Sequence, residues 1–237
     1  ADTVNRMLFP WLRAHAEDEF FLFAHYWDPH GPYEAPDPRF RDLYSPRQLG
    51  DLPVVTAPSG EDYVMGAGPV SALGDEERLK VDRYDCEISY LDDRLGDLFE
   101  LLRELGVYDE MAIMFVSDHG DIMVEREQHF SHRGIWHPTM HTPFVVKLPG
   151  DVAPTPMARS DALVSNADIL PTLLDAAGIE MEDPVDGKSL LPLIRGESAS
   201  VREALFAEGT YPHHGIPQRS LRAGDYKVIQ YLPEFVP

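Results

Sequence analysis

The chain has 237 residues, enough for one sizeable domain or a domain with a small appendage, and its 43% of hydrophobic residues excludes global disorder. Its formal net charge of −21 argues against a nucleic-acid partner, because phosphate binding requires clustered Lys and Arg. A single cysteine, Cys86, excludes an intrachain disulfide, and no apolar run is long enough to predict a membrane span.

The first half of the chain predicts two helices separated by a strand and an irregular excursion. Residues 3–16 place apolar side chains at helical spacing, and the run FFLFAHYW (20–27) has the length of a buried strand. This strand ends at DPHGPY, where Pro and Gly force a loop. Residues 44–76 are rich in Pro and Gly and show no clear period. Residues 83–106 carry the apolar stripe of a helix, and Gly106 suits its C-terminal cap.

The second half predicts further strands and one helix. MAIMFVS (111–117) and TPFVVKLPG (142–150) have the composition of buried strands. Residues 165–179 open with capping residues and continue with helical spacing. In the tail, EALFAEG and SLRAGDYKVIQYL are strand-like, and Gly224 with Asp225 is typical of a hairpin turn.

Helices that alternate with buried strands predict an α/β fold. We expect part of a mostly parallel sheet sandwiched by helices, with a small C-terminal antiparallel strand pair. In parallel sheets, ligands lie beyond the carboxyl ends of the strands. The two strand exits, WDPHGPY and SDHGD, are therefore the first candidate sites.

The exit SDHGD offers Asp118, His119 and Asp121. A carboxylate and a neutral imidazole suit a divalent cation of hard or borderline character. The alternative is that Asp118 caps a turn and His119 is an ordinary, partly exposed histidine.

The exit HYWDPHGPY places His30 in a rigid frame of Pro and Gly, which suits the positioning of an acid or of an anion contact. In the alternative interpretation, Asp28 and Pro29 start a turn and His30 packs on Tyr33. Further along, HFSHRGIWHPTMHTP (129–143) contains four histidines and Arg133, a combination that can hold sulfate or phosphate. Histidines also cluster on surfaces by chance, and no nearby cysteine completes a structural zinc site.

In their order along the chain, these segments resemble the sulfatase family of the alkaline-phosphatase-like superfamily. The resemblance rests on FFLFAHYWDPHGPYEAP, YDCEISYLDDRLGDLFELL, FVSDHGD, FSHRGIWHPTMHTPFVVKLPG and VSNADILPTLLDAAGIEMEDPVDGKSLLPLIRGE. The tail RSLRAGDYKVIQY is similar to the family's C-terminal strand pair. The resemblance implies a sulfuric ester hydrolase that acts on a small-molecule or glycan sulfate ester.

The resemblance also implies a divalent cation, usually calcium, with manganese or zinc as further possibilities. It assigns Asp118 and His119 as metal ligands, and Asp121 is expected to orient His119 or a neighbouring N–H from outside the coordination shell. His132 and Arg133 are expected to contact the sulfate.

His30 occupies the position that contacts the ester and is expected to protonate the leaving group. The family's nucleophile is a cysteine or serine, converted to formylglycine, in a C/S-x-P-S/A-R motif. Residues 1–237 contain neither this motif nor the early Asp–Asp pair of metal ligands.

We therefore interpret residues 1–198 as the C-terminal portion of a sulfatase-like catalytic domain and residues 199–237 as a small β-rich subdomain. The chain alone is expected to be inactive and to need the missing N-terminal half or a partner chain. One alternative is a phosphoesterase or phosphonate monoester hydrolase of the same superfamily. Another is a non-catalytic module that folds with a partner. The sequence does not predict a cellular location.

Overall fold

The computed structural model describes residues 1–44, 54–56, 62–64, 68–69, 74–123, 131–152, 159–209 and 217–232. The chain forms two compact units, of which the first comprises Ala1–Tyr108 and Ile122–Ser131, and the second Asp109–Asp121 and His132–Pro237. The predicted boundary at residue 198 stays a prediction. Within the described ranges, no helix is both long enough and apolar enough to cross a membrane.

Helices dominate the first unit. Its described elements are α1 (Asp2–His15), α2 (Pro38–Arg41), β1 (Val54–Thr56), β2 (Asp62–Val64), β3 (Gly68–Pro69) and α3 (Asp75–Glu104). The three short strands form an antiparallel sheet in the order β1-β2-β3. Apart from these strands and the start of α3, the predicted excursion over 44–76 lies mostly outside the described residues.

Both predicted helices of the first unit are present, and α3 begins earlier than expected. Its C-terminus confirms the predicted cap, since Gly106 has a φ of 76°. The Val107 N–H donates to the Leu102 carbonyl at 3.1 Å, and the Gly106 N–H donates to the Arg103 carbonyl at 3.0 Å. These two bonds form a Schellman motif, which satisfies carbonyl groups that the helix itself leaves unpaired.

The predicted buried strand over 20–27 is wrong within this chain. The segment has no strand partner among the described residues, and its exposure alternates so that Phe21 and Phe23 are 76% and 78% exposed. Its other face is held on α1, where the Tyr26 hydroxyl donates to Asn5 Oδ1 at 2.7 Å. Asn5 in turn donates from Nδ2 to the Arg94 carbonyl on α3 at 2.7 Å. An apolar run becomes a strand only when a neighbouring strand accepts its backbone hydrogen bonds.

The second unit combines short helices with two antiparallel sheets. Its described elements are β4 (Ile113–Val116), α4 (His137–Met140), β5 (Phe144–Lys147), α5 (Ile169–Ala176), α6 (Leu191–Ile194), β6 (Ala204–Gly209), β7 (Gln218–Ala223) and β8 (Tyr226–Tyr231). A 3₁₀ turn, Asn166–Asp168, precedes α5, and Ser165 and Asp168 form the reciprocal bonds of a capping box. This capping confirms the predicted start of the helix.

The fold is α/β, as predicted, but the mostly parallel sheet is not present among the described strands. β4 and β5 pair antiparallel, with Ile113 opposite Lys147 and Val116 opposite Phe144. β5 therefore runs back beside β4, an arrangement that requires no crossover connection over the sheet.

The C-terminal strands form a three-stranded antiparallel sheet in the order β6-β7-β8, one strand more than the predicted pair. Gly224, with a φ of 54°, lies in the predicted hairpin turn between β7 and β8. One face of β7 is buried at Gln218 and Ser220, whereas Arg219 and Leu221 on the opposite face are exposed. This sheet thus has one packed face and one face turned outward.

Candidate metal and sulfate site

The SDHGD turn leaves the end of β4 with its polar groups fixed by local hydrogen bonds. The Ser117 hydroxyl donates to the His119 carbonyl at 2.8 Å, and the His119 N–H donates to Asp118 Oδ1 at 2.9 Å. Asn166 Nδ2 donates to the Ser117 carbonyl at 2.9 Å, which ties the turn to the start of α5. The Asp118 side chain is 81% exposed, so its carboxylate is accessible to a ligand.

Gly120 explains how the turn packs against α4. Its N–H donates to the Thr139 carbonyl at 2.9 Å, and a Cβ on Gly120 would meet the Pro138 carbonyl oxygen at 2.2 Å. No side chain fits at that distance, so only glycine allows SDHGD to lie this close to the helix.

Gly120→Ala is therefore expected to destabilise the protein by about 1–3 kcal/mol, because the turn must move away from α4. The measurement is chemical denaturation, with Gly150→Ala as the matched control, since a Cβ on Gly150 meets nothing within 4 Å. Equal stability of the two variants would show that the close approach at Gly120 does not matter.

Three predicted residues converge next to this turn. The rings of His119 and His132 stack with centroids 4.4 Å apart, and His132 Nδ1 lies 3.6 Å from Asp121 Oδ1. His119, Asp121 and His132 each offer one potential ligand atom, and these three atoms all lie within 4.8 Å of one another. Asp118 Oδ2 is 3.6 Å from His119 Nε2 and lies beside the same group. Two imidazoles and two carboxylates can together hold a divalent cation.

Asp121 was expected to orient His119 or a neighbouring N–H. The structure places the Asp121 carboxylate near the imidazole of His132, and the orienting role stays a prediction. Arg133 follows His132 and is exposed. Gly134, with a φ of 81°, then turns the chain toward Trp136, whose Nε1 would lie 2.7 Å from an added Cβ.

His30 belongs to the first unit and is exposed there. Its Nδ1 contacts the Gly31 carbonyl at 2.8 Å, and its ring centroid lies 4.5 Å from that of Trp27. With Nδ1–H donating to Gly31, Nε2 remains the nitrogen that can exchange a proton with a ligand.

The loop that carries His30 is anchored on α3 by its next residues. The ring of Tyr33 meets that of Tyr84 edge-on at 5.2 Å, and the Glu34 N–H donates to Glu87 Oε1 at 2.8 Å. Ala35 is 3% exposed and packs in a cluster with Cys86 and Tyr90. Cys86 is thus a buried core residue.

Glu87 is a residue that sequence reasoning missed. It is 5% exposed, and its Oε2 has no hydrogen-bond partner among the described residues. Burial raises the pKa of Glu87 to about 7, and the negative charge of Asp28 also acts to raise it. The hydrogen bond from the Glu34 N–H, the Ala1 ammonium group and His30 act to lower it, with a smaller combined effect. The sequence feature that could have indicated Glu87 is its position one helical turn before Leu91, which places the carboxylate on the same, buried side of α3.

Two protein-family models match the chain. The model described as "Sulfatase" matches residues 2–179, and the model described as "N-sulphoglucosamine sulphohydrolase, C-terminal" matches residues 126–235. The chain belongs to the sulfatase family. The resemblance identified from the motifs is thereby confirmed.

Two curated relatives show how much of a sulfatase this chain represents. Choline-sulfatase from Rhizobium meliloti (strain 1021) is 30% identical over 225 residues, which cover 88% of this chain and 41% of that protein. The ulvan-active sulfatase from Formosa agariphila is 27% identical, with coverage of 91% of this chain and 41% of that protein. This sulfatase chain therefore spans less than half the length of the relatives it matches.

Solved structures support the fold of the sulfatase chain. The phosphonate monoester hydrolase from Silicibacter pomeroyi superposes with a TM-score of 0.73 at 22% sequence identity, over 95% of this chain and 51% of that chain. A sulfatase titled as a 2-O GAG sulfatase superposes with a TM-score of 0.59 over 69% of this chain. At these identities, the likeness shows a common fold.

Proposed function

We propose that this chain is part of a divalent-cation-dependent sulfuric ester hydrolase and contributes cation ligands, sulfate contacts and the leaving-group acid. The observation that carries the proposal is the convergence of His119, Asp121 and His132 beside Asp118 in a chain of the sulfatase family. A mostly parallel sheet is proposed for the complete protein, in which the segment 20–27 gains its strand partners from residues outside this chain.

The donor set fits a divalent cation. Imidazole with carboxylate suits manganese or zinc directly, whereas calcium prefers six to eight oxygen ligands. For calcium, the cation we propose from the family resemblance, further oxygen ligands must come from residues outside this chain. When bound, the cation supplies positive charge that stabilises the sulfate oxygens and favours ionisation of a coordinated hydroxyl.

The remaining roles follow from what each side chain can offer. Asp118 and His119 are proposed as cation ligands at the end of β4. His132, whose Nδ1 lies 3.6 Å from Asp121 Oδ1, is proposed to bind a sulfate oxygen together with Arg133. His30 is proposed to donate the Nε2 proton to the leaving oxygen. The nucleophile, a formylglycine, is expected in residues outside this chain.

The test uses the full-length protein that contains residues 1–237, assayed with an aryl sulfate after chelation and after addition of calcium, manganese or zinc. Asp118→Asn is expected to weaken cation binding at least about tenfold and to reduce turnover by a similar factor or more, because it removes one anionic ligand. Asp151→Asn is the control, since Asp151 is exposed in the same unit. Unchanged cation affinity in Asp118→Asn would refute this assignment.

A phosphoesterase or phosphonate monoester hydrolase remains the second candidate. The Silicibacter pomeroyi phosphonate monoester hydrolase shares the fold at a TM-score of 0.73, and the same ligand types would serve its reaction. Assay of the full-length protein with an aryl phosphonate beside the aryl sulfate separates the two. A higher kcat/KM for the sulfate supports the first proposal, and absence of both activities supports a non-catalytic module.

A further inference from the structure

Four basic side chains meet between α4 and the buried face of the C-terminal sheet. His137 and His141 lie one helical turn apart, with ring centroids 4.7 Å apart and planes inclined by 17°. Arg222 on β7 lies directly opposite Lys227 on β8. Lys227 Nζ donates to the Ile135 carbonyl at 2.5 Å, which holds the ammonium group next to the start of α4.

These four residues are called the α4–sheet basic cluster below, and two of them, Arg222 and Lys227, are cations that repel each other. Like charges directly opposite each other in a sheet are destabilising. Burial, and then the charges of His141, Arg222 and Lys227, lower the pKa of His137. Burial and the charge of Arg222 lower the pKa of Lys227 as well.

No carboxylate neutralises the α4–sheet basic cluster in the described part of the chain, where none of its members forms an ion pair. The cluster lies in a chain that has 41 Asp and Glu residues against 20 Lys and Arg residues. Arg222 and Lys227 are half-buried and both histidines are exposed, so an anion from solvent can reach the cluster, and Arg with His suits a tetrahedral oxyanion.

The position of the cluster indicates which oxyanion it takes. α4 carries His137, and the Thr139 carbonyl of the same helix accepts the hydrogen bond from Gly120 in the SDHGD turn. The cluster and the group formed by His119, Asp121 and His132 therefore both adjoin one four-residue helix. A substrate with two neighbouring sulfate groups can reach both.

We propose that the α4–sheet basic cluster is a second oxyanion subsite that binds a neighbouring, non-reacting sulfate group of a polysulfated oligosaccharide. This inference rests on the proposed sulfatase function and deepens it, because it names the class of substrate. Binding energy from this second group would orient the ester that reacts at the first site.

The kinetic test compares a disulfated oligosaccharide with a small aryl sulfate in the full-length protein. Arg222→Gln is expected to raise KM for the disulfated substrate about tenfold or more, as expected for the loss of a hydrogen bond to a charged group. The kcat and KM for the aryl sulfate are expected to change less than about threefold, since that substrate does not reach the cluster. Arg219→Gln is the matched control, because Arg219 lies on the exposed face of the same strand. A KM for the disulfated substrate that is equal in the two variants overturns the proposal.

A second readout needs no activity. Inorganic sulfate, compared with chloride at equal ionic strength, is expected to raise the thermal midpoint of a His132→Gln background, and Arg222→Gln is expected to abolish this rise. If the full-length protein hydrolyses no sulfate ester, the proposed function fails while this measurement still tests the subsite. A rise that persists in Arg222→Gln contradicts the subsite, and a rise without a kinetic effect shows binding of the free ion and contradicts the oligosaccharide assignment.

Discussion

Replacement of Asp168 with Asn is expected to lower the free energy of unfolding by about 3–5 kcal/mol, because it leaves a buried guanidinium without its counter-ion. Asp168 has no exposed side-chain surface, and the Arg202 side chain is 10% exposed. Arg202 Nη1 donates to Asp168 Oδ2 at 2.6 Å, while Nη2 contacts the other carboxylate oxygen. This bidentate, buried pair is of the kind in which removal of one partner is costly.

The same carboxylate joins three segments of the second unit. It accepts the Ser165 N–H at 2.8 Å and the Lys188 N–H at 2.9 Å, in addition to the guanidinium of Arg202 before β6. Burial acts to raise the pKa of Asp168, but these hydrogen bonds and the charge of Arg202 outweigh burial and lower the pKa below 3.8. The stabilisation is therefore complete above pH 3.8 and is lost as the pH falls through the lowered pKa.

Urea denaturation of the full-length protein near pH 7 checks this expectation. Asp161→Asn is the control, since its ion pair with Arg159, at 3.5 Å, has partners that are 91% and 87% exposed, and no measurable change is expected. A loss of stability in Asp168→Asn that is no larger than in this control would show that the buried pair contributes little.

Local features of the fold were predictable because they depend on neighbouring residues. Short stretches of sequence determine several of these features: the helical periodicity of α1 and α3, the αL conformation of Gly106 and the capping box at Ser165. The turn at Gly224 is likewise local. Such features keep their form whichever other segments the chain meets.

The pairing of strands was less predictable because it depends on distant residues. The composition of β5 correctly indicated a strand, but its direction beside β4 depends on how the SDHGD turn and α4 route the chain. The segment 20–27 has the composition of a strand and lacks a strand partner among the described residues. Composition indicates which segments favour extended backbone, and only tertiary contacts decide whether they pair.

The candidate site shows the same difference between features that depend on neighbouring residues and features that depend on distant ones. Asp118, His119, Asp121 and His132 were predicted from two short motifs, and the structure brings them together, although their roles stay proposals. The α4–sheet basic cluster joins residues more than 80 positions apart along the chain, a separation that no motif spans. Long-range convergence of like charges becomes visible only in the fold.

Sequence analysis missed Glu87 because an apolar stripe is defined by apolar residues alone and therefore assigns no buried position to a carboxylate. Ile88 lies at helical spacing from the other apolar residues of α3, but it is 42% exposed, while Cys86, Glu87 and Tyr90 are buried. The start of the helix is therefore rotated relative to the predicted stripe, and a glutamate occupies a position that the pattern reserved for an apolar side chain.

Glu87→Gln is expected to stabilise the protein at pH 8 by on the order of 3 kcal/mol and to have little effect at pH 4. Gln keeps the oxygen that accepts the Glu34 N–H and cannot ionise. In the native protein, burial raises the pKa of Glu87 from 4.5 to about 7, and each pKa unit corresponds to ~1.36 kcal/mol.

The direction of the effect follows from proton binding. Between pH 4.5 and pH 7 the folded protein keeps the Glu87 proton while the unfolded chain loses it. The free energy of unfolding therefore falls as the pH rises through this window, and the Gln variant lacks this contribution. Below pH 4.5 the carboxyl is neutral in both states, and above pH 7 the buried Oε2 carries charge without a hydrogen-bond partner among the described residues.

The difference in unfolding free energy between Glu87→Gln and the native protein, measured from pH 4 to pH 8, is expected to grow with pH and to level off above pH 7. Glu100→Gln, an exposed position on the same helix, provides the control and is expected to show no such trend. Because Glu34 belongs to the loop that carries His30, hydrogen exchange of a peptide spanning 27–35 is expected to quicken with pH in the native protein beyond the intrinsic rate, and not in the Gln variant. A pH-independent difference would mean that Glu87 has the same pKa in the folded and the unfolded protein, and a trend that Glu100→Gln reproduces would not be specific to Glu87. In either case the loop would be held independently of Glu87 ionisation, by its contacts to Tyr84 and the Cys86–Tyr90 cluster.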